Sequence, residues 1–250
     1  MNYKLLLQYD GTEFHGWQIQ NDQRTVQGEL ERVLSLLEDS EVHVAGSGRT
    51  DSGVHAEGQV ANAKLNRSFK PDKLRSAING NAWRDLRVLK VEQVDDDFHA
   101  RFSARGKTYV YRVINSDTMS PFWVRYAHLE KVPLDLDKMN KASRFFLGEH
   151  DWTAFSSAQS DSENKVRTIE ELRIDSTWDQ RANASLLEFK ITGNGFLRYM
   201  VRSIIGTLLE VGRGEKDSDT IQNAIVTRDK NLVGATAPAN GLTLKEVYYE

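Results

Sequence analysis

Ala45-Gly46-Ser47-Gly48-Arg49-Thr50-Asp51-Ser52-Gly53-Val54-His55-Ala56 is a polar, glycine-rich stretch between two runs of strand character. Val42 and Val44 precede it, and Val60, Ala61, Ala63 and Leu65 follow. It therefore reads as a loop slung between two strands. Gly46, Gly48 and Gly53 suit a backbone that turns sharply or lets a ligand come close. Joining two strands takes much less chain than this. Asp51 is the carboxylate of the loop, flanked by Arg49 and Gly53. An ionised carboxylate there can act as nucleophile or general base. Unperturbed it titrates near ~3.9, so it carries charge at neutral pH. The same residue types also make ordinary Asx-type turns, and the loop alone reads either way.

Outward from the loop, the first half alternates strand and helix. Tyr3–Tyr9 has strand character, and Asp10-Gly11-Thr12 turns the chain. Thr25 caps a helix over Val26–Asp39, with Val26, Leu30, Val33, Leu34 and Leu37 on one face. After the loop and its two strands, Pro71 opens a helix through Asn79, and Leu86–Val94 is a strand. The order is β-α-β-β-α-β. The second half reads similarly: strands at Thr108–Ile114, Lys165–Ile174, Ala184–Ile191 and Leu244–Tyr249, and helices at Leu136–Leu147, Phe196–Val211 and Asp219–Thr227. The expectation is an α+β protein of two ferredoxin-like (RRM-like) units, with antiparallel sheets flanked by helices and an active-site cleft between them. The boundary falls within Arg101–Gly106, giving domains 1–104 and 105–250.

Composition narrows the function. The chain of 250 residues has no cysteine, which removes disulfides, thiolate catalysis and sulfur-ligated zinc and fits a reducing compartment. The start is no signal peptide, and no run approaches the roughly 20 apolar residues that span a bilayer, so the expected location is the cytoplasm. The net charge of −3 is unevenly spread: residues 101–150 carry nine Lys and Arg against five Asp and Glu. Residues 99–112 hold Arg101, Arg105, Lys107 and Arg112 with Phe102, Tyr109 and Tyr111, and no acid. Cations interleaved with rings suit RNA, since guanidinium pairs with phosphate while rings stack on bases. An edge strand with a solvated face is the plain alternative. Arg198 and Arg202 fall four apart on the flank of the expected helix, with Gly206 on the same line. Either they snorkel to water or they reach a carboxylate and hold it ionised. No HExxH, P-loop, GxSxG or dinucleotide fingerprint occurs.

These motifs resemble the bacterial tRNA pseudouridine synthase A family. The resemblance runs in order over nearly the whole chain. It rests on Tyr9-Asp10-Gly11-Thr12-x-Phe14-x-Gly16-Trp17-Gln18, on Gly48-Arg49-Thr50-Asp51-x-Gly53-Val54-His55-Ala56 and on Phe98-His99-Ala100-Arg101-Phe102-Ser103-Ala104. Tyr109-x-Tyr111, His150-Asp151, Asn194-Gly195-Phe196, Met200-Val201-Arg202 and Ala237-Pro238-Ala239-x-Gly241-Leu242 add to it. The resemblance implies an isomerase converting uridine to pseudouridine at positions 38, 39 and 40 of the tRNA anticodon arm. It casts Asp51 as the catalytic aspartate, Arg202 as its partner, Tyr109 as the ring that stacks on the target base, and Arg49 as a residue holding the flipped nucleotide. It further implies a homodimer, with tRNA touching both copies, and no metal or organic cofactor. Arg101, Arg105 and Lys107 are the candidates for phosphate contact. Two departures from the family pattern stand out: Ala82-Trp83-Arg84-Asp85-Leu86, where Leu-Pro before Asp-Ile is common, and Trp152 in place of phenylalanine.

Two other readings compete. One is a tRNA-binding module without chemistry, suggested by the basic segment. The other is a metal-assisted hydrolase built on Asp51 and His55.

Overall fold

In the computed structural model, which describes residues 1–158 and 162–250, the opening strand β1 (Asn2–Tyr9) buries Tyr3, Leu5, Leu7 and Tyr9. That period-two pattern is what a sheet with one face against helices demands. Helix α1 (Val26–Glu38) starts at Thr25, whose side chain accepts from the Gly28 N–H, and ends at Asp39 in a left-handed conformation. Strands β2 (Val44–Gly46) and β3 (His55–Lys64) pair antiparallel, so the polar stretch connects two adjacent strands. Helix α2 (Pro71–Asn81) and strand β4 (Leu86–Val94) complete the β-α-β-β-α-β order. β1 lies between β3 and β4, antiparallel to both, and α1 and α2 lie against each other.

The chain divides into two compact units. The first is Met1–Arg105 together with Leu244–Glu250, and the second is Gly106–Thr243. The division after Arg105 falls within the basic segment. The terminal strand β10 (Leu242–Tyr248), grouped with the second half by sequence order, places residues from Leu244 onward in the first unit. The reason is local. Gly58 of β3 leaves no room for a Cβ beside the Lys245 carbonyl, and the Lys245 ammonium meets the Glu57 carboxylate.

In the second unit, β5 (Gly106–Asn115) pairs antiparallel with β9 (Ala184–Gly193), and β9 pairs with β8 (Val166–Asp179). Two short strands join these. β6 (His128–Glu130) runs parallel to β5, and β7 (Gly148–Asp151) edges β8. Helix α3 (Leu136–Ser143) is shorter than periodicity suggests. A 3₁₀ turn over Arg144–Phe146 follows, and Gly148 at φ +95° leads the chain into β7. Helix α4 (Met200–Gly212) buries Ile204, Ile205 and Leu208 completely, and α5 (Asp219–Thr227) follows. Trp152 is fully buried among Phe146 and Phe155, and its indole N–H donates to the Arg167 carbonyl at 2.8 Å. The larger ring thus has room and a partner. Among the described residues no helix is long and apolar enough to cross a membrane.

Candidate active site

The Asp51 loop is braced from outside itself. The segment Tyr9–Gln18 runs along it and supplies many of its partners. The Trp17 N–H donates to the Thr50 carbonyl at 3.0 Å, and the Tyr9 hydroxyl pairs with the Thr50 hydroxyl at 2.9 Å. The Phe14 carbonyl accepts from the Gly53 N–H and the Ser52 hydroxyl, both at 3.3 Å. The Asp51 carbonyl accepts from the Val54 N–H at 3.1 Å, closing a turn in which Gly53 sits at φ +79°. Arg49, itself exposed, has its Nε–H on the Gln18 side-chain oxygen at 2.9 Å. Beneath the loop, Gln59 is fully buried. It accepts from the Ser47 hydroxyl at 2.7 Å and donates to the Gly48 carbonyl at 3.0 Å. A half-buried Asp51 on a loop tied at Ser47, Gly48, Thr50, Ser52 and Gly53 is pre-positioned. Pre-positioning is what lets a single carboxylate act without first reorganising.

His55 is engaged by the turn beside the loop. It is 3% exposed, and its Nδ1 accepts the Gly11 N–H at 2.9 Å. An accepting Nδ1 places the proton of the neutral ring on Nε2. Asp10 Oδ1 lies 3.3 Å from the same nitrogen but already accepts from the Thr12 N–H and hydroxyl. The imidazole is thus a tie between β3 and the Asp10–Thr12 turn. Among the described residues no group of three His, Asp or Glu gathers as a metal set.

In the second unit, Tyr109 sits on β5 opposite Ile191 of β9 and is 7% exposed. Phe196 meets its ring edge-on, with centroids 5.3 Å apart. Tyr111, two residues on, is fully buried, and its hydroxyl donates to the Pro238 carbonyl at 2.9 Å. Burial pushes the Tyr111 phenol well above its usual pKa, while the nearby positive charge of Arg202 pulls the other way. Arg202 donates from Nε to the Ala237 carbonyl at 2.7 Å, and the Ala237 N–H returns a bond to the Arg202 carbonyl at 3.0 Å. Adjacent carbonyls of one short segment, at Ala237 and Pro238, therefore hold Arg202 and Tyr111. Gly206 makes this possible, since a Cβ there would stand 1.7 Å from the Ala235 carbonyl oxygen.

The helix carrying Arg202 starts later than its apolar pattern suggests. Phe196–Tyr199 precede it, so Phe196 and Leu197 belong to the approach and Arg198 is not on the same helical line as Arg202. The break is at Tyr199, with φ +66° and ψ −5°. For a residue with a bulky side chain this left-handed conformation costs on the order of 1–3 kcal/mol. The guanidinium of Arg198 lies 5.0 Å from the Tyr199 ring centroid and that of Arg202 lies 5.1 Å away.

The basic segment forms an ordered turn. The Ser103 N–H donates to the His99 carbonyl at 2.9 Å, and the Ser103 hydroxyl accepts the His99 N–H at 3.1 Å. His99 Nδ1 accepts the Arg101 N–H at 3.1 Å. Asn2 and Asn62 hold the flanks through Phe98 and Ala100, and the Tyr249 hydroxyl donates to the Ala100 carbonyl. On this turn Phe102 is 77% exposed, rests on the His99 ring at 4.4 Å and has the Arg101 guanidinium 5.6 Å from its centroid. Arg105 is exposed next to it, and Lys107 is half-buried at the start of β5. Trp83, in the segment that departs from the family pattern, is 61% exposed with the Arg24 guanidinium 5.3 Å from its ring.

Two supporting residues, Gln59 and Tyr199, lie outside the motifs, and Ala237 and Pro238 lie in a motif that gives them no partner. Gln59 lies inside an apolar alternation, and a glutamine there, where a sheet buries its face, is the one hint available.

A carboxylate on a braced loop and a cationic turn that offers an exposed ring suit chemistry on an RNA base. Comparison with known proteins carries this to a family. Residues 6–103 and 142–250 match the family model described as tRNA pseudouridine synthase. A protein of Bacillus sp. (strain KSM-64) named tRNA pseudouridine synthase A is 42% identical over 250 residues, 99% of this chain and 99% of its own length. One of the same name from Geobacillus sp. (strain WCH70) is 44% identical over 248 residues, covering 99% and 98%. The chain belongs to the tRNA pseudouridine synthase family.

Proposed function

We propose that this protein isomerises uridine to pseudouridine at positions 38, 39 and 40 of the tRNA anticodon arm, with Asp51 as the reacting carboxylate. Membership of the family makes it an isomerase acting on tRNA. The observation that carries the residue assignment is the bracing of the Asp51 loop by Tyr9–Gln18.

The reaction breaks the N1–C1′ bond, turns the base, and forms C5–C1′. The proton leaves C5 and N1 gains one, so nothing is oxidised or reduced and no group departs. An ionised carboxylate can attack C1′, attack C6, or accept a proton from the sugar, and each route needs the charge in place before the substrate arrives. Arg202 pairs with that charge in this reading. Unstacking the target base costs a few kcal/mol. Stacking on Tyr109, about 1–3 kcal/mol, and a hold on the flipped nucleotide by Arg49 offset it. Arg101, Arg105 and Lys107 meet phosphate, and Phe102 offers a second ring to an unpaired base. The same reading takes the protein to work as a homodimer in the cytoplasm, with its tRNA touching both copies.

Release of tritium from tRNA labelled at uridine C5, followed by mapping of pseudouridine in the product, tests this. Wild-type protein is expected to release tritium, and Asp51→Asn to lose at least about a thousandfold of that rate, within the range for a lost acid–base group. Release undiminished in Asp51→Asn overturns the role of Asp51. Binding of tRNA without release by the wild type would leave a binding module in its place.

A further inference from the structure

We propose that Tyr199 is a positioning residue that aims the Arg202 guanidinium, an inference resting on the reading that Arg202 serves the reaction. Tyr199 is the first residue before α4, where the two usual reasons for choosing a side chain both disfavour tyrosine. Serine, threonine, aspartate or asparagine would cap the helix, whereas Tyr199 makes no side-chain cap. Glycine or asparagine would adopt φ +66° with least strain, whereas an aromatic residue adopts it against its preference. What tyrosine supplies is its ring. Both neighbouring guanidiniums lie against it, Arg198 at 5.0 Å and Arg202 at 5.1 Å. A ring within reach of two cations attracts each of them and so offsets part of their mutual repulsion.

Two of the supports of Arg202 differ in kind. The Ala237 carbonyl fixes Nε at 2.7 Å, and the Tyr199 ring fixes the plane of the group around that bond. A hydrogen bond at Nε leaves rotation about the remaining torsions, and a ring against the guanidinium removes it. Strain held at one residue and spent on orienting its neighbour is how such outliers persist.

The test compares Tyr199→Asn, Tyr199→Gly and Tyr199→Phe in tritium release under saturating tRNA, with thermal unfolding of each. The asparagine and glycine variants relieve the backbone, so each is expected to melt at or above the wild-type temperature. Both are expected to lose kcat by between about tenfold and a hundredfold, the scale of a misplaced group, with KM little changed. Tyr199→Phe keeps the ring and is expected to keep kcat. Full kcat in the asparagine or glycine variant overturns the proposal. So does a fall in melting temperature in step with the fall in kcat, which would make the ring a packing element only. Arg202→Ala in the same assay separates the two readings. If Arg202→Ala is fully active, the assignment of Arg202 fails. If it is inactive while Tyr199→Asn is fully active, only the positioning role fails.

Discussion

The Asp51 loop in the first unit and the start of α4 in the second each hold a charged side chain, one with backbone and hydroxyl bonds, the other with rings and carbonyls. Around Asp51 the loop's partners include the neighbouring segment Tyr9–Gln18 and Gln59 below. Around Arg202 they include the Ala237 carbonyl and the Tyr199 ring. A loop has no regular structure of its own, so every backbone group must find a partner elsewhere. A helix satisfies its own backbone, so only the side chain needs aiming. A steric clash inside the helix is therefore expected to relax less readily than one in the turn that braces the loop.

The glycines give the largest test of that contrast. An alanine Cβ at Gly206 would stand 1.7 Å from the Ala235 carbonyl oxygen, and one at Gly11 would stand 2.0 Å from that of Val54. Gly206 lies inside α4, where the backbone cannot yield, whereas Gly11 lies in a turn that can. Gly206→Ala is expected to cost about 3 kcal/mol or more by urea unfolding, and Gly11→Ala about 1–3 kcal/mol. Equal losses would show that loop and helix are equally rigid and would break the comparison.

Two buried tyrosines give a smaller test. The Tyr9 hydroxyl pairs with Thr50 at 2.9 Å, and the Tyr111 hydroxyl donates to Pro238 at 2.9 Å. Replacement of either by phenylalanine is expected to cost about 1 kcal/mol of stability. Tyr9→Phe should also slow tritium release more than Tyr111→Phe, because Thr50 precedes Asp51 in the chain whereas Pro238 reaches Arg202 only through Ala237. Reversal of that order would place the sensitive support in the second unit.

Alkaline titration gives the smallest. Burial raises the Tyr9 phenol from 10.0 to about 12. A raised folded pKa means the unfolded chain releases its proton first. The stability contributed by neutral Tyr9 is thus complete below pH 10.0 and declines as the pH rises towards about 12. Tyr9→Phe is expected to make the fall in unfolding free energy between those values shallower by about 1.4 kcal/mol per pH unit at most. An unchanged slope would mean that Tyr9 is as solvated in the folded chain as in the unfolded one.

The first unit was almost wholly legible in the sequence. Thr25 caps α1, Pro71 opens α2, and the alternation of β1 matches its burial, because each signal is local. The second unit was less so. β6 and β7 are three and four residues long, too short for any periodicity to show. The apolar run from Phe196 continues the helical period up to a residue that leaves the helix, and nothing in a tyrosine announces a left-handed backbone. The terminal strand was grouped by its neighbours in sequence, whereas its Lys245 meets Glu57 of the first unit.

By itself, the sequence determined which chemical groups the protein owns: a loop carboxylate at Asp51, a ring at Tyr109, a guanidinium at Arg202 and a cationic turn at Arg101–Lys107. Contiguous motifs suffice for that, since the identity of a reacting group is a property of one residue. What tertiary structure decided is which of them are held, and by what. Gln59, Tyr9 and Phe14 fasten a loop 11 to 41 residues away in sequence; Ala237 fastens an arginine 35 residues before it. Such bonds are made between backbone groups that every residue carries and side chains with no spacing rule, so only the folded chain says where they close.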